Sequence, residues 1–316
     1  MSIPISTIIS FLLVLGFIIA TIVSIVNFRE KDWLKFNIVA FGDSLTDNGN
    51  QWRATDGAMP PANLYYQDFF IGRWSDGPIW VDFVESKLDA KLIDKAFGGA
   101  TTNKSLISQC YFDNTNMPSI QEQIENILPN VTSFPPQTTF AIWTGFCDYM
   151  TIFERNLTIT SEDIVTSIHN SIIFLTSSGA RKFLLLNMPP INRAPQYINY
   201  TNITILQNLI EAHNILLNQT VNDIRKTNRI QASVFDVWGL IESFTQSPQQ
   251  YGFSNVIDSC IQHNSNNTCQ NPDKYLWWDA IHPTTKVHSL LAAEIIVYLK
   301  SLNGSCLYLT NCGYNI

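Results

Sequence analysis

The chain has 316 residues, 46% of them apolar, and a net charge of −7 without a lysine or arginine cluster. That balance argues against a nucleic-acid partner and provides enough apolar side chain for a substantial core. Beyond the N-terminal segment about 280 residues remain, which suits one large α/β domain as well as two small ones.

Residues 3–28 are almost all apolar or small, and the first charged side chain is Arg29. A run of this length can span a bilayer, which takes ~20 residues. It lacks a basic start and a clear small-x-small cleavage site. An uncleaved signal-anchor is therefore expected over residues 1–32, including a short stem, with a cleaved signal peptide as the alternative. Residues 33–316 are expected to form a single domain. Arg29, Lys31 and Lys35 flank the C-terminal side of the run, which the positive-inside rule would hold in the cytosol. Cysteine usage and glycosylation triplets, below, argue for the lumenal side.

Residues 36–41 form a short apolar run before a polar turn and read as a first strand. Residues 79–88 have helical periodicity after the start signal Asp76-Gly77-Pro78. A second strand is expected over 92–97, ahead of Gly98-Gly99, and a short helix over 120–128. Strands follow at 138–143 and 182–186, with a helix between them at 161–177 that Ser161 would cap. A long amphipathic helix at 203–225 leads to a fifth strand at 231–237. The last helix is expected over 284–302, with Pro283 at its first position. Strands alternating with helices imply a parallel sheet covered on both faces.

Six cysteines are present. Cys260 and Cys269 bracket one polar loop, and Cys306 and Cys312 bracket the C-terminal tail. Both spacings suit disulfides in an oxidising compartment, and no Cys-x-x-Cys suggests zinc. Cys110 and Cys147 remain, either bonded to each other or free. Asn-x-Ser/Thr triplets begin at Asn103, Asn130, Asn156, Asn199, Asn202, Asn218, Asn266 and Asn303.

The chemistry concentrates in two places. Phe41-Gly42-Asp43-Ser44-Leu45-Thr46-Asp47-Asn48-Gly49-Asn50 puts a serine at the C-terminal end of the first strand, where open α/β sheets bind ligands. Trp277-Trp278-Asp279-Ala280-Ile281-His282-Pro283-Thr284 supplies an acid and a base three residues apart. A serine hydroxyl needs a base to become a nucleophile, and the base needs an acid to orient it. Each stretch alone also reads as a simple helix entry. If Pro283 opens the last helix, His282 sits at its positive end, which disfavours imidazolium. No Gly-x-Ser-x-Gly elbow occurs. His169, His213, His263 and His288 lack metal-ligand spacing, so neither a metal nor a cofactor is expected.

Gly42-Asp43-Ser44-Leu45 resembles the signature of the GDSL, or SGNH, hydrolases. The chain is similar to their fungal branch in carbohydrate esterase family 16, and to thermolabile-haemolysin-like and plant GDSL lipases. Further stretches carry the resemblance in order: Gly72-Arg73-Trp74-Ser75-Asp76-Gly77-Pro78-Ile79-Trp80, Lys95-Ala96-Phe97-Gly98-Gly99-Ala100-Thr101, Asn187-Met188-Pro189-Pro190, and the block from Tyr251 through Cys260 and Cys269 to Pro283. It implies a flavodoxin-like three-layer sandwich around a five-stranded parallel sheet in the order 2-1-3-4-5. It also implies a Ser44, Asp279, His282 triad, with the backbone N–H groups of Ser44 and Gly99 facing the oxyanion and Gly98 serving only the turn.

One position departs. Where the family's Gly-x-Asn-Asp block carries an oxyanion asparagine, this chain has Cys147, between Gly145-Phe146 and Asp148. A thiol is a weak donor and a disulfide is none. The expected activity is hydrolysis of carboxylic esters, foremost acetyl or short-chain acyl esters of carbohydrates. The alternatives are a short-chain lipase or phospholipase-like acylhydrolase, and a catalytically weakened binding protein of the secretory pathway. Trp74, Trp277 and Trp278 either form a flat wall for a sugar ring or pack in the core. The expected partners are a small-molecule or oligosaccharide ester, and a membrane through the N-terminal segment.

Overall fold

β1 (Asn37–Gly42) and β3 (Thr138–Trp143) lie at the centre of a five-stranded parallel sheet in the order β2-β1-β3-β4-β5, where β2 is Lys91–Asp94, β4 Lys182–Leu186 and β5 Gln231–Phe235. The computed structural model describes residues 37–65, 70–113, 115–128, 134–135, 137–228, 230–261 and 267–302. All six residues of β3 and five of the six in β1 are buried, so both faces of the sheet are covered. Continuous apolar runs, not alternating ones, are what a parallel sheet between two helical layers requires.

The helices are α1 (Asn50–Ala54), α2 (Ala62–Tyr65), α3 (Trp80–Leu88), α4 (Ile120–Ile127), α5 (Phe146–Arg155), α6 (Ser161–Ser177), α7 (Ile203–Asn228), α8 (Val237–Gln246) and α9 (Thr285–Leu302). α3 packs against α9, and α4, α6 and α7 form a second connected group. Strand order reverses between β1 and β3, so the chain leaves both strands towards a shared crevice, the switch point at which such sheets bind ligands. The strand order is the one the resemblance implies, in a three-layer α/β arrangement.

Several local expectations are corrected. The cap of α6 is Thr160, not Ser161: its hydroxyl accepts from Asp163 N–H and the Asp163 carboxylate answers to the Thr160 N–H, a reciprocal box. α9 starts at Thr285, so Pro283 is not a helical residue. Pro283 instead bridges Trp277 in antiparallel fashion, and the His282 carbonyl accepts from Trp278 N–H. A small parallel pair, β6 (Asn255–Ser259) and β7 (Tyr275–Trp277), stands outside the main sheet and carries the chain towards Asp279.

No helix among the described residues is long and apolar enough to cross a membrane. The apolar segment 3–28 and the Cys306 and Cys312 pairing lie outside the described residues, as do Asn130, Asn266 and Asn303.

Candidate active site

Gly42 closes β1 in a place with no room for a side chain. A Cβ there would lie 2.7 Å from the Trp143 carbonyl oxygen of β3 and 2.9 Å from Thr46. Its N–H and C=O are both held by the Gln123 amide of α4. Two residues on, Ser44 is buried at the head of a turn in which Thr46 and Asp47 N–H donate to the Asp43 carbonyl. The strand end is thereby fixed by three neighbours before the serine is reached.

The Asp279–His282 loop is held from both sides. Cys260 N–H bonds the Trp277 carbonyl, Ile261 N–H the Trp278 carbonyl, and the Cys260–Cys269 disulfide closes the loop behind them. On the other flank Gln196 N–H donates to the Ala280 carbonyl. Ser75 donates to the Pro283 carbonyl at 2.9 Å, and Asp76 accepts from Thr285 N–H at the entry to α9. The Gly72–Trp80 stretch therefore serves to seat the histidine loop.

This framework aligns three side chains. His282 Nε2 is 2.8 Å from Ser44 Oγ, and His282 Nδ1 is 2.7 Å from Asp279 Oδ2. Asp279 Oδ1 accepts from Ile281 and His282 N–H at 2.8 and 2.6 Å. Burial penalises the Asp279 charge, but the His282 charge and hydrogen bond, the Tyr65 hydroxyl and Ile281 N–H outweigh it and hold this carboxyl below its usual range. Trp74 stacks on the His282 ring at 4.9 Å, and Phe146 lies 6.2 Å from it.

Of the two readings open for the three tryptophans, core packing holds for two of them. Trp277 and Trp278 are each 3% exposed and pack inwards, and only Trp74 remains beside the histidine. Bulky rings flanking a short strand find more apolar partners inside than at the surface.

Gly99 has φ +77°, and a Cβ on it would lie 2.0 Å from the Asp113 carboxylate. Among the described residues its N–H and that of Ser44 have no protein acceptor. Gly98 N–H is already taken by Asp47 Oδ2 at 2.8 Å. The same Asp47 carboxylate receives Gly49, Asn50 and Gln51 N–H at the start of α1. One buried acid thus ties the serine turn to the glycine loop, a role composition and motif did not disclose.

Cys147 sits in the first turn of α5 and is disulfide-bonded to Cys110, 37 residues earlier. The position of the family asparagine therefore carries no hydrogen donor in this form. The neighbouring Asp148 is held by Thr102, whose N–H and hydroxyl both donate to it. Closing a loop of this length contributes about 4 kcal/mol on the chain-entropy estimate. Whether a donor at this position would raise the rate is testable without confounding it with lost cross-linking. Cys110→Ser/Cys147→Asn is expected to exceed Cys110→Ser/Cys147→Ala in kcat by about tenfold or more at similar KM. Equal kcat in the two folded variants would show that another group already serves the oxyanion there.

Burial raises Asp43 to about 7, against hydrogen bonding from Leu45 N–H and with the Asp148 charge adding to the rise; burial likewise raises Asp148 to about 6. Between the unfolded value of 3.8 and about 7, the folded chain holds the Asp43 proton more tightly than the unfolded chain does. This group therefore makes stability fall as pH rises through that window. Asp43→Asn is expected to lose less melting temperature than the parent between about pH 4 and pH 7. Parallel melting-temperature curves for the two proteins would contradict the assignment.

A family model described as GDSL-like Lipase/Acylhydrolase matches residues 38–295. The chain is 26% identical over 280 residues to a thermolabile hemolysin of Vibrio parahaemolyticus, covering 82% of this chain and 62% of that protein. It is 24% identical over 276 residues to an acetylesterase of Thermothelomyces thermophilus, covering 82% of this chain and 86% of the other. Among solved structures, LAE5, an alpha/beta hydrolase enzyme from the metagenome of Lake Arreo, superposes with a TM-score of 0.51 at 14% identity, over 86% of this chain and 99% of that one. That last likeness concerns the fold.

Proposed function

The chain belongs to the GDSL-like lipase and acylhydrolase family and is a carboxylic ester hydrolase; we propose that it works through Ser44, His282 and Asp279, on acetyl or short-chain acyl esters of carbohydrates. The observation that carries the proposal is the continuous hydrogen-bonded file from Ser44 Oγ through His282 to Asp279. With Nδ1–H donated to Asp279, Nε2 is free to take the hydroxyl proton as Ser44 Oγ attacks the ester carbonyl. The oxyanion then accepts from Ser44 and Gly99 N–H. His282 passes its proton to the departing alcohol, leaving an acyl group on Ser44. Water, deprotonated by the same nitrogen, attacks that acyl group, and the released proton returns to Ser44 Oγ as the acid departs.

The substrate class rests on similarity to the acetylesterase. Nitrophenyl esters from acetate to palmitate, assayed beside acetylated oligosaccharides, test it. Fastest turnover on acetate and release of acetate from the oligosaccharides are the expected results. A maximum at long acyl chains, with the oligosaccharides untouched, would favour the lipase-like alternative. The Cys110–Cys147 disulfide favours a second reading, a weakened enzyme retained for binding, because it removes one donor. Ester turnover at background level in the parent protein would select it.

We also propose an oxidising, lumenal or extracellular site, tethered through residues 3–28 or released. Two disulfides and the exposed acceptors Asn156, Asn199, Asn202 and Asn218 support it, while Asn103 is half-buried. Endoglycosidase treatment should increase the mobility of the protein recovered from the secretory pathway; unchanged mobility with recovery from cytosol would reverse the assignment.

A further inference from the structure

Asp279 has a partner outside its own loop. Tyr65, at the end of α2, donates its hydroxyl to Asp279 Oδ2 at 2.6 Å, and this is the oxygen that also binds His282 Nδ1. Tyr65 lies 214 positions earlier in the chain. Its ring is only 7% exposed and is gripped edge-on by Trp74 at 5.3 Å and Trp278 at 6.4 Å. Trp74 in turn stacks on His282 and donates Nε1–H to Gln51 at 2.8 Å. The phenol thus touches the acid directly and the base through one ring.

We propose that Tyr65 is a positioning residue for the hydrolysis: its hydroxyl fixes the Asp279 carboxylate in the orientation that holds His282 against Ser44. The proposal rests on the Ser44–His282–Asp279 mechanism above. With two backbone N–H groups on Oδ1 and the imidazole and phenol sharing Oδ2, the buried carboxylate has four fixed donors and one rotational setting. The phenol does not itself shuttle protons. Burial, then the charge and hydrogen bond of Asp279, push its ionisation far above any working pH, so it remains a donor. A donor on Oδ2 also draws charge from the oxygen facing the imidazole, which moderates how strongly Asp279 favours imidazolium. Removing it leaves more negative charge on the oxygen that faces the imidazole.

Other ionisable groups near the base do not change in this comparison. His288, on α9, is held at about 3 by burial and by the nearby His282, and so is neutral. Asp43, adjacent to Ser44 and raised to about 7 by burial with Asp148 beside it, is not among the charges that raise Tyr65, whose hydroxyl bonds Asp279.

The test is the pH profile of kcat/KM for nitrophenyl acetate in the full chain, with Tyr65→Phe and with Tyr65 replaced by difluorotyrosine. Tyr65→Phe is expected to lower kcat about tenfold, with KM within about twofold, and to move the acid limb up by roughly half a pH unit or more. Difluorotyrosine keeps the shape but donates more strongly, so its limb should move down. It also keeps the test intact if Tyr65→Phe fails to fold. An unmoved limb in both, or a loss equal at every pH, would overturn the proposal, since a merely structural tyrosine would do that. Ser44→Ala assayed alongside separates the failures. Activity surviving in Ser44→Ala removes the underlying mechanism, whereas inactive Ser44→Ala with unshifted Tyr65 profiles removes the tyrosine role alone.

Discussion

Ser44→Ala is expected to lower kcat for nitrophenyl acetate by roughly 10⁴–10⁶-fold, leaving only the residual contribution of binding and oxyanion donors. His282→Ala should fall to the same level if Ser44 Oγ and His282 Nε2, 2.8 Å apart, act as one unit as proposed. The double variant should therefore be no worse than either single one. Asp279→Ala should be milder, since the base survives while its orientation and its partner charge are lost. Near-parent turnover in Ser44→Ala, verified by mass, would remove the mechanism.

Gly99→Ala should be the most damaging change that deletes no functional side chain. The residue has φ +77°, and an added Cβ would meet the Asp113 carboxylate at 2.0 Å. That carboxylate cannot simply swing aside, because Gln51 and Thr115 hold it. Glycine alone combines the left-handed backbone with this contact. Relief of the clash must shift the loop and with it the Gly99 N–H. Loss of one well-placed oxyanion donor costs about 10²–10³ in kcat. Gly179→Ala is the control: its φ is +99°, yet nothing lies within 4 Å, and it is remote from Ser44 in the chain. It should lower melting temperature slightly and leave kcat alone. If Gly99→Ala retained parental kcat, Gly99 would not be an oxyanion donor.

Much of this architecture was legible because the parallel sheet writes itself as apolar runs. β3 and β4 span the residues expected, and α6 does too, since its amphipathic face is local, although its cap lies one residue earlier than expected. α5 was missed for a physical reason: Phe146 through Ile152 are all buried, Asp148 and Thr151 among them, so polarity in its first two turns does not report which face meets solvent. The β6–β7 pair was missed because Asn255–Ser259 is half-exposed and polar, and earns its place by bracing a loop. Pro283 misled because proline suits a bridge before a helix as well as the first turn within it.

The site divides in the same way. Ser44, Asp279 and His282 were nominated by residue type and spacing, and Gly99 by resemblance. Tyr65, Asp47 and Gln51 carry no signal of their own. Their roles exist only where distant segments meet, as when Tyr65 reaches Asp279. Cys147 was readable as a departure from the family block, but its bond to Cys110 depends on the loop that brings the two Cα atoms to 5.1 Å.

The most direct measurement is to trap the nucleophile. The folded parent protein is treated with a fluorophosphonate, digested, and mapped by mass spectrometry, with His282→Ala treated in parallel. A serine with its base beside it attacks phosphorus, whereas an ordinary hydroxyl does not. The expected result is a single adduct on the Ser44 peptide of the parent and none in His282→Ala. An adduct on another residue, or none at all in protein that hydrolyses nitrophenyl acetate, would contradict catalysis by Ser44.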